Sequence, residues 1–203
     1  MDEDATGFPT IKTSRDRQAL LTYFAPTVVP VFKARYEMAN RDAVIAHFDG
    51  MRADGAPSLK TNLSCWHSEF DLHELYPDLL GAFATDMIRI CNQCLNSDRR
   101  QDAPVPQIEL WYADYDEGSF AREHAHGYTV LSFVYYLETA AGASGLVFHE
   151  NGLEIGQPIE RSRTHVPVST GDLLMFPGFL KHSVPPTAGT RKILAGNIFD
   201  PGN

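Results

Sequence analysis

The sequence predicts a mainly β fold, a double-sheet jelly roll buttressed by helices from its N-terminal half, and three observations lead there. The hydrophobic period is helical up to about residue 95 and shortens beyond 107. The later residues place their β-branched and aromatic side chains in about eight short runs separated by Gly, Pro and Ser. The 203 residues, 43% of them hydrophobic, suffice for one real core, so a single domain over 1–203 is expected, with 1–100 a mostly helical layer and 107–200 the jelly-roll core.

The elements follow in order. Asn40 is placed to cap a helix carrying Ala43, Val44, Ile45 and Phe48 on one face. Pro77 suits the first turn of a second, whose Leu79, Leu80, Phe83, Met87, Ile88, Cys91 and Leu95 recur at three-to-four spacing. Each helix has a single apolar stripe and needs a sheet to lie against. The polar, proline-bearing stretch 97–106 reads as the junction between the two layers. Strands are expected near 107–113, 119–126, 129–137, 145–149, 164–168, 172–176, 181–184 and 190–199. Residues 150–163, with Gly152, Gly156 and Pro158, have loop composition, suiting either a lid over a binding site or a plain surface loop.

Charge and composition exclude some functions. A formal net charge of −9 provides no basic surface for nucleic acid or an anionic membrane, so a small molecule or a peptide segment is the expected partner. No apolar run approaches the roughly 20 residues that span a bilayer, and the start MDEDATGFPT is acidic where a secretory leader is basic then apolar. A cytoplasmic location is the expectation; the oligomeric state, monomer or homodimer, stays open. Three cysteines make no disulfide framework, and Cys91-x-x-Cys94 falls late in a helical pattern, where buried thiols outweigh a redox or zinc site.

The chemistry concentrates in four residues. On a regular strand, alternation points His124 and His126 to the same face, where two imidazoles can share one metal. His182 opens a later strand, after a glycine turn at Gly171, an apolar run and a proline turn at Pro177. Non-haem Fe(II) oxygenases grip their metal from one side with two His and usually one carboxylate, leaving positions open; H-x-H followed by His is that set with imidazole replacing the carboxylate. Arg191 lies nine residues after His182. If the intervening turn is a hairpin centred between Pro186 and Thr187, the two stand opposite each other on one face. A buried guanidinium there must meet a carboxylate, from the protein or from a ligand. His149 and His165 are expected at an edge or on the surface, His47, His67 and His73 have no expected metal role, and Trp66 and Trp111 read as core or pocket wall.

Three segments together carry a family resemblance: Phe120-Ala-Arg-Glu-His-Ala-His-Gly-Tyr-Thr-Val-Leu-Ser-Phe-Val-Tyr-Tyr-Leu137, Gly171-Asp-Leu-Leu-Met-Phe-Pro-Gly-Phe-Leu-Lys-His182, and Arg191-Lys-Ile-Leu-Ala-Gly-Asn-Ile198. In this order they resemble the 2-oxoglutarate/Fe(II) oxygenase superfamily, in particular its short stand-alone members. The likeness extends upstream to Ile108-Glu-Leu-Trp111 and Ser64-Cys-Trp-His-Ser-Glu-Phe-Asp-Leu72.

The resemblance implies a cupin-like jelly roll, with Fe(II) as metal and 2-oxoglutarate and O₂ as co-substrates. His124 and His182 match the family histidines, and His126 falls where most members have Asp or Glu. Arg191 matches the residue that binds the distal carboxylate of 2-oxoglutarate, and Tyr136 an assisting hydroxyl. Ile193 departs from a serine common in relatives. The third ligand is His126, or else Glu123 or water with His126 behind it; a regular strand would turn Glu123 to the opposite face. The implied reaction couples oxidative decarboxylation of 2-oxoglutarate to hydroxylation of a small molecule or peptide side chain.

Two other readings stand beside it. One is a three-histidine cupin-type dioxygenase that does not use 2-oxoglutarate, weakened because Val130 and Leu131 stand where the cupin glutamate belongs. The other is a non-catalytic cupin-like binding module.

Overall fold

The computed structural model describes residues 29–58, 64–95, 106–149 and 163–200. Within them, strand β1 (Phe32–Arg35) and helix α1 (Arg41–Ala53) precede the short strand β2 (Trp66–His67) and helices α2 (Leu72–Leu75) and α3 (Pro77–Cys94). The strands β3 (Gln107–Tyr115), β4 (Ala121–His124), β5 (Leu131–Thr139), β6 (Val147–His149), β7 (Arg163–His165), β8 (Asp172–Pro177), β9 (His182–Val184) and β10 (Arg191–Phe199) follow.

All strand pairings are antiparallel and form two sheets, a major one ordered β1-β8-β5-β10-β3-β2 and a minor one ordered β4-β9-β6-β7. This is the jelly roll expected from the spacing of the runs. Each expected strand is present, shifted by at most a few residues. Two strands were not expected, because β1 and β2 are edge strands of only four and two residues, too short to stand out from their surroundings. Their neighbours supply the pairing: β1 runs beside β8, with Lys33 and Arg35 each 3.0 Å from Asp172, and β2 borders β3.

The major sheet is apolar on both faces, and period-2 alternation splits its side chains between two cores. Leu110, Tyr112, Leu131, Phe133, Tyr135, Leu173, Met175, Leu194 and Ile198 face the helices, where Val44 and Phe48 of α1 and Leu80, Phe83, Met87 and Cys91 of α3 meet them. Trp111, Ala113, Tyr115, Val134, Tyr136, Leu174, Phe176, Ile193 and Ala195 face the space between the sheets. Gly196 sits where a Cβ would lie 2.4 Å from Cζ of Phe133 and 2.2 Å from the Glu109 carbonyl, so that ring can lie flat across β10.

Helix α1 begins after Asn40, but the side chain does not cap it: Asn40 Nδ2 donates to the Leu79 carbonyl at 2.8 Å and ties the start of α1 to α3. The helix ends in a Schellman motif, Gly55 at φ +81° donating to Arg52 O and Ala56 to Met51 O. Phe48 is fully buried and stacked on Tyr112 with ring centroids 4.6 Å apart, joining helix to sheet. Phe48→Ala is expected to cost about 3–5 kcal/mol of stability. Denaturant unfolding measures it, and a loss under 1 kcal/mol would mean that the helical layer is not coupled to the sheet.

Candidate active site

The minor sheet brings the histidines together through an irregular pairing. Ala121 stands opposite Val184 and His124 opposite His182, so β4 spends three residues where β9 spends two. The extra residue is a bulge that resets which side chains point inward. Strand β4 ends at His124, which places His126 beyond the strand, in the turn that follows; there its backbone N–H donates to the Gly178 carbonyl at 2.7 Å. The expectation of two histidines alternating on one regular strand is therefore corrected. The three imidazoles still converge, each offering a ring nitrogen within 4.8 Å of the others, and the His124 and His182 ring centroids lie 4.3 Å apart.

Hydrogen bonds orient two of these rings. His124 Nδ1 lies 2.7 Å from the Arg122 carbonyl and His182 Nδ1 lies 3.0 Å from the Leu180 carbonyl. A carbonyl accepts only, so each Nδ1 carries the proton and each Nε2 keeps its lone pair for a metal. Burial holds the His182 imidazolium down to about 3, with the neighbouring His124 adding to the effect. Burial likewise brings His126 to about 4, His124 again contributing, and lowers His124. All three rings are neutral at pH 7, as metal ligation requires.

Across the cavity stands Arg191, on the major sheet. The structure overturns the hairpin expected between His182 and Arg191: β9 pairs with β4 and β6, while β10 pairs with β3 and β5. The two residues lie on opposite sheets and line one cavity from both sides. The stretch between them crosses from sheet to sheet, so adjacency in sequence was no guide to pairing.

Arg191 is 1% exposed. Its Cζ lies 4.0 Å from the Tyr115 ring centroid, and Nη1 donates to the Ser144 carbonyl. No carboxylate among the described residues forms an ion pair with it, and its Nε has no hydrogen-bond partner. The Tyr136 hydroxyl, on the same cavity wall, is also buried without a partner, and burial pushes its pKa up to about 12, so it is a neutral donor. A buried cation and an orphaned hydroxyl cost stability unless an anion with several acceptor oxygens joins them.

Residues 109–195 match a protein-family model described as "Putative 2OG-Fe(II) oxygenase". Over these residues the chain is similar to 2-oxoglutarate/Fe(II) oxygenase domains. Fe(II) and 2-oxoglutarate are the metal and co-substrate of that family, and the donor set fits both: neutral imidazoles for the metal, and for a dicarboxylate Arg191, with no carboxylate on it among the described residues, and the Tyr136 hydroxyl. Solved structures share the fold of the oxygenase domain. A prolyl-4-hydroxylase from Pseudomonas putida is 20% identical, with 91% of this chain and 97% of that one covered at a TM-score of 0.61. A prolyl hydroxylase from Trichoplax adhaerens, in complex with a hypoxia inducible factor peptide fragment, is 13% identical over 85% and 84% of the chains at 0.63. HygX from Streptomyces hygroscopicus, solved with nickel and 2-oxoglutarate bound, is 12% identical over 95% and 88% at 0.58. Comparison with curated protein sequences gives no match.

The remaining expectations for the oxygenase domain divide. Trp66 lies in the helix-facing core, and Trp111 forms cavity wall beside His126 at 6.1 Å between rings. Ile193 lines the cavity, and His165 is exposed as expected. His149 is not at the surface: it is 6% exposed, with Nε2 2.8 Å from Ser183 Oγ and Nδ1 3.5 Å from Glu123, because β6 lies between two neighbouring strands. Glu123 faces His149 and Lys181, away from the histidine cluster. His67 is buried on β2 and stacks on Trp111 at 5.8 Å, a placement with no sequence signal, since β2 is only two residues long. Cys91 is buried and Cys94 half-buried, and the two are not bonded to each other. The stretch 150–162, read as lid or surface loop, and most of the junction 97–106 lie outside the described residues. Among the described residues no helix is long and apolar enough to cross a membrane.

Proposed function

We propose that residues 1–203 act as one oxygenase domain that hydroxylates a small molecule or peptide side chain, with Fe(II) held by His124, His126 and His182 and 2-oxoglutarate held by Arg191 and Tyr136. One observation carries this reading: a cluster of neutral imidazoles faces, across one cavity, a buried guanidinium with no carboxylate on it among the described residues. A three-histidine dioxygenase acting without 2-oxoglutarate, or a binding module, has no use for that cation.

When bound, Fe(II) and 2-oxoglutarate would, with O₂ as the oxidant, supply the chemistry for hydroxylating a C–H bond, one oxygen atom going to the substrate and the other to succinate as CO₂ is lost. The chain's own residues hold and shield. His124 and His182, each locked by a backbone carbonyl, present Nε2 without rotamer search. Arg191 offers a fixed cation to the distal carboxylate, and Tyr136 donates its hydroxyl proton to it. Phe176, Val134, Ile193 and Ala195 keep the walls between them apolar, which excludes water and strengthens each polar contact.

Anaerobic titration of the Fe(II) protein with 2-oxoglutarate tests this reading through the weak visible charge-transfer band. Its appearance supports the oxygenase; iron bound with no affinity for 2-oxoglutarate defeats it. A second test concerns His126, which sits in a turn. His126→Asp is expected to retain iron and some turnover, because a carboxylate restores the commoner ligand set. If that variant held metal no better than His126→Ala, His126 would not be a ligand.

A further inference from the structure

The end of the cavity away from Arg191 has a chemistry of its own. The start of β3, the start of β5, the end of β8 and the end of β10 all meet there. Segment 68–71 joins them along the edge of β3, with Leu110 N donating to Phe70 O at 2.7 Å. The turn after His126 joins them through its bond to Gly178.

Three of the exposed large apolar residues lie on the segments that border this end: Phe70 (40% exposed), Tyr128 (97%) and Phe179 (54%). Phe70 packs edge-on against Trp111 at 5.4 Å, and Trp111 reaches His126, so a continuous aromatic wall leads from solvent to the histidine cluster.

Inside this wall runs a polar chain of fixed direction. Ser132, a cavity-lining residue, donates to Asn197 Oδ1 at 2.9 Å, and Asn197 Nδ2 donates to Glu109 Oε2 at 2.9 Å. Ser132 and Asn197 are buried, and Glu109 is half-exposed. Alternation along β3 puts Glu109 on the same face as Trp111, and no Lys, Arg or His among the described residues forms an ion pair with it.

Among the described residues, the segments that border this end carry charge of one sign. Segments 66–72, 106–112, 126–133, 176–180 and 195–200 contain Glu69, Asp71, Glu109 and Asp200 and not one Lys or Arg. Lys181, the next residue on the minor sheet, lies 3.8 Å from Glu123. The negative charges of 2-oxoglutarate would be met deeper in, by Arg191 and the metal. Among the described residues of these segments, the side-chain charge nearest an incoming substrate is the Glu109 carboxylate.

We propose that the mouth selects a substrate carrying a primary ammonium or guanidinium group, anchored on the Glu109 carboxylate with its alkyl stem along Phe70 and Trp111. This deepens the oxygenase reading above and rests on it for the reaction, not for the binding. A half-exposed carboxylate fixed by Asn197 is preorganised for one cation, and aromatic faces add cation–π attraction. The net charge of −9 draws cationic ligands toward the protein at low salt.

The test is direct binding to the Fe(II)–2-oxoglutarate protein without O₂. Nα-acetyl-arginine amide and Nα-acetyl-lysine amide are titrated beside their neutral counterparts, Nα-acetyl-citrulline amide and Nα-acetyl-norleucine amide, with ligand-observed NMR and tryptophan fluorescence as readouts. At least one cationic probe is expected to bind about five- to tenfold tighter than its neutral partner, the effect of one partly exposed ion pair. That preference should shrink with salt and vanish in Glu109→Gln. Glu109→Lys should turn it toward the carboxylate probe Nα-acetyl-glutamate amide. Equal binding of cationic and neutral probes, no binding of either cation at millimolar concentration, or an unchanged preference in Glu109→Gln each overturns the proposal. The charge-transfer band in the same wild-type sample reports on the oxygenase reading separately, so the two can fail independently.

Discussion

Arg191→Met is expected to raise the apparent constant for 2-oxoglutarate by about 30-fold to several thousand-fold while iron binding survives. Deleting one partner of a charge-assisted, bidentate contact in a dry site costs about 2–5 kcal/mol, and 1.4 kcal/mol is a factor of ten. The site is dry, because Arg191 is 1% exposed with Tyr115 across its guanidinium face. Methionine keeps most of the volume and removes only the charge and the donors, so packing loss should not confuse the result. Succinate release across a range of 2-oxoglutarate concentrations, wild type beside mutant, is the measurement. An unaltered constant in the mutant would move the clamp to another residue.

The second large effect is expected at the histidines. His124→Ala or His182→Ala should weaken Fe(II) binding by more than about 100-fold, beyond the 10–100-fold typical of losing a residue that merely orients a ligand. A facial site left with two protein ligands loses much of its chelation. Both side chains are pre-oriented by backbone carbonyls, so alanine also discards an arrangement whose ordering cost the fold has already met. Metal analysis after gel filtration decides it. Iron retained in full by either variant would remove that residue from the metal site.

The strands were legible because each is a short run rich in β-branched and aromatic residues bounded by turn signals, as in 131–139 and 191–199. Helix α3 was legible likewise, since Leu80, Phe83, Met87 and Cys91 repeat at helical spacing and Pro77 marks the first turn. Strands β1 and β2 were not, because they are held by what lies beside them and not by a pattern of their own. Asn40 was right as a boundary and wrong as a cap, because the Leu79 carbonyl on α3 competes for its side chain.

For the site, sequence alone determined which residue types are available and their order along the chain: His124 and His126 near one turn, His182 after a proline turn, and Arg191 at the start of the last strand. Local alternation could not foresee the bulge that lets β4 end at His124, nor that His126 lies beyond the strand. Only the tertiary structure decided that His182 and Arg191 face each other from different sheets, that Glu123 turns toward His149, and that Glu109, Asn197 and Ser132 form one chain beside Trp111. The physical reason is that strand alternation is a property of neighbouring residues, whereas sheet membership depends on which strands pair. That choice is set by burying both faces of the major sheet at once, and it involves residues well over a hundred positions apart, as in the 137 that separate Arg35 on β1 from Asp172 on β8.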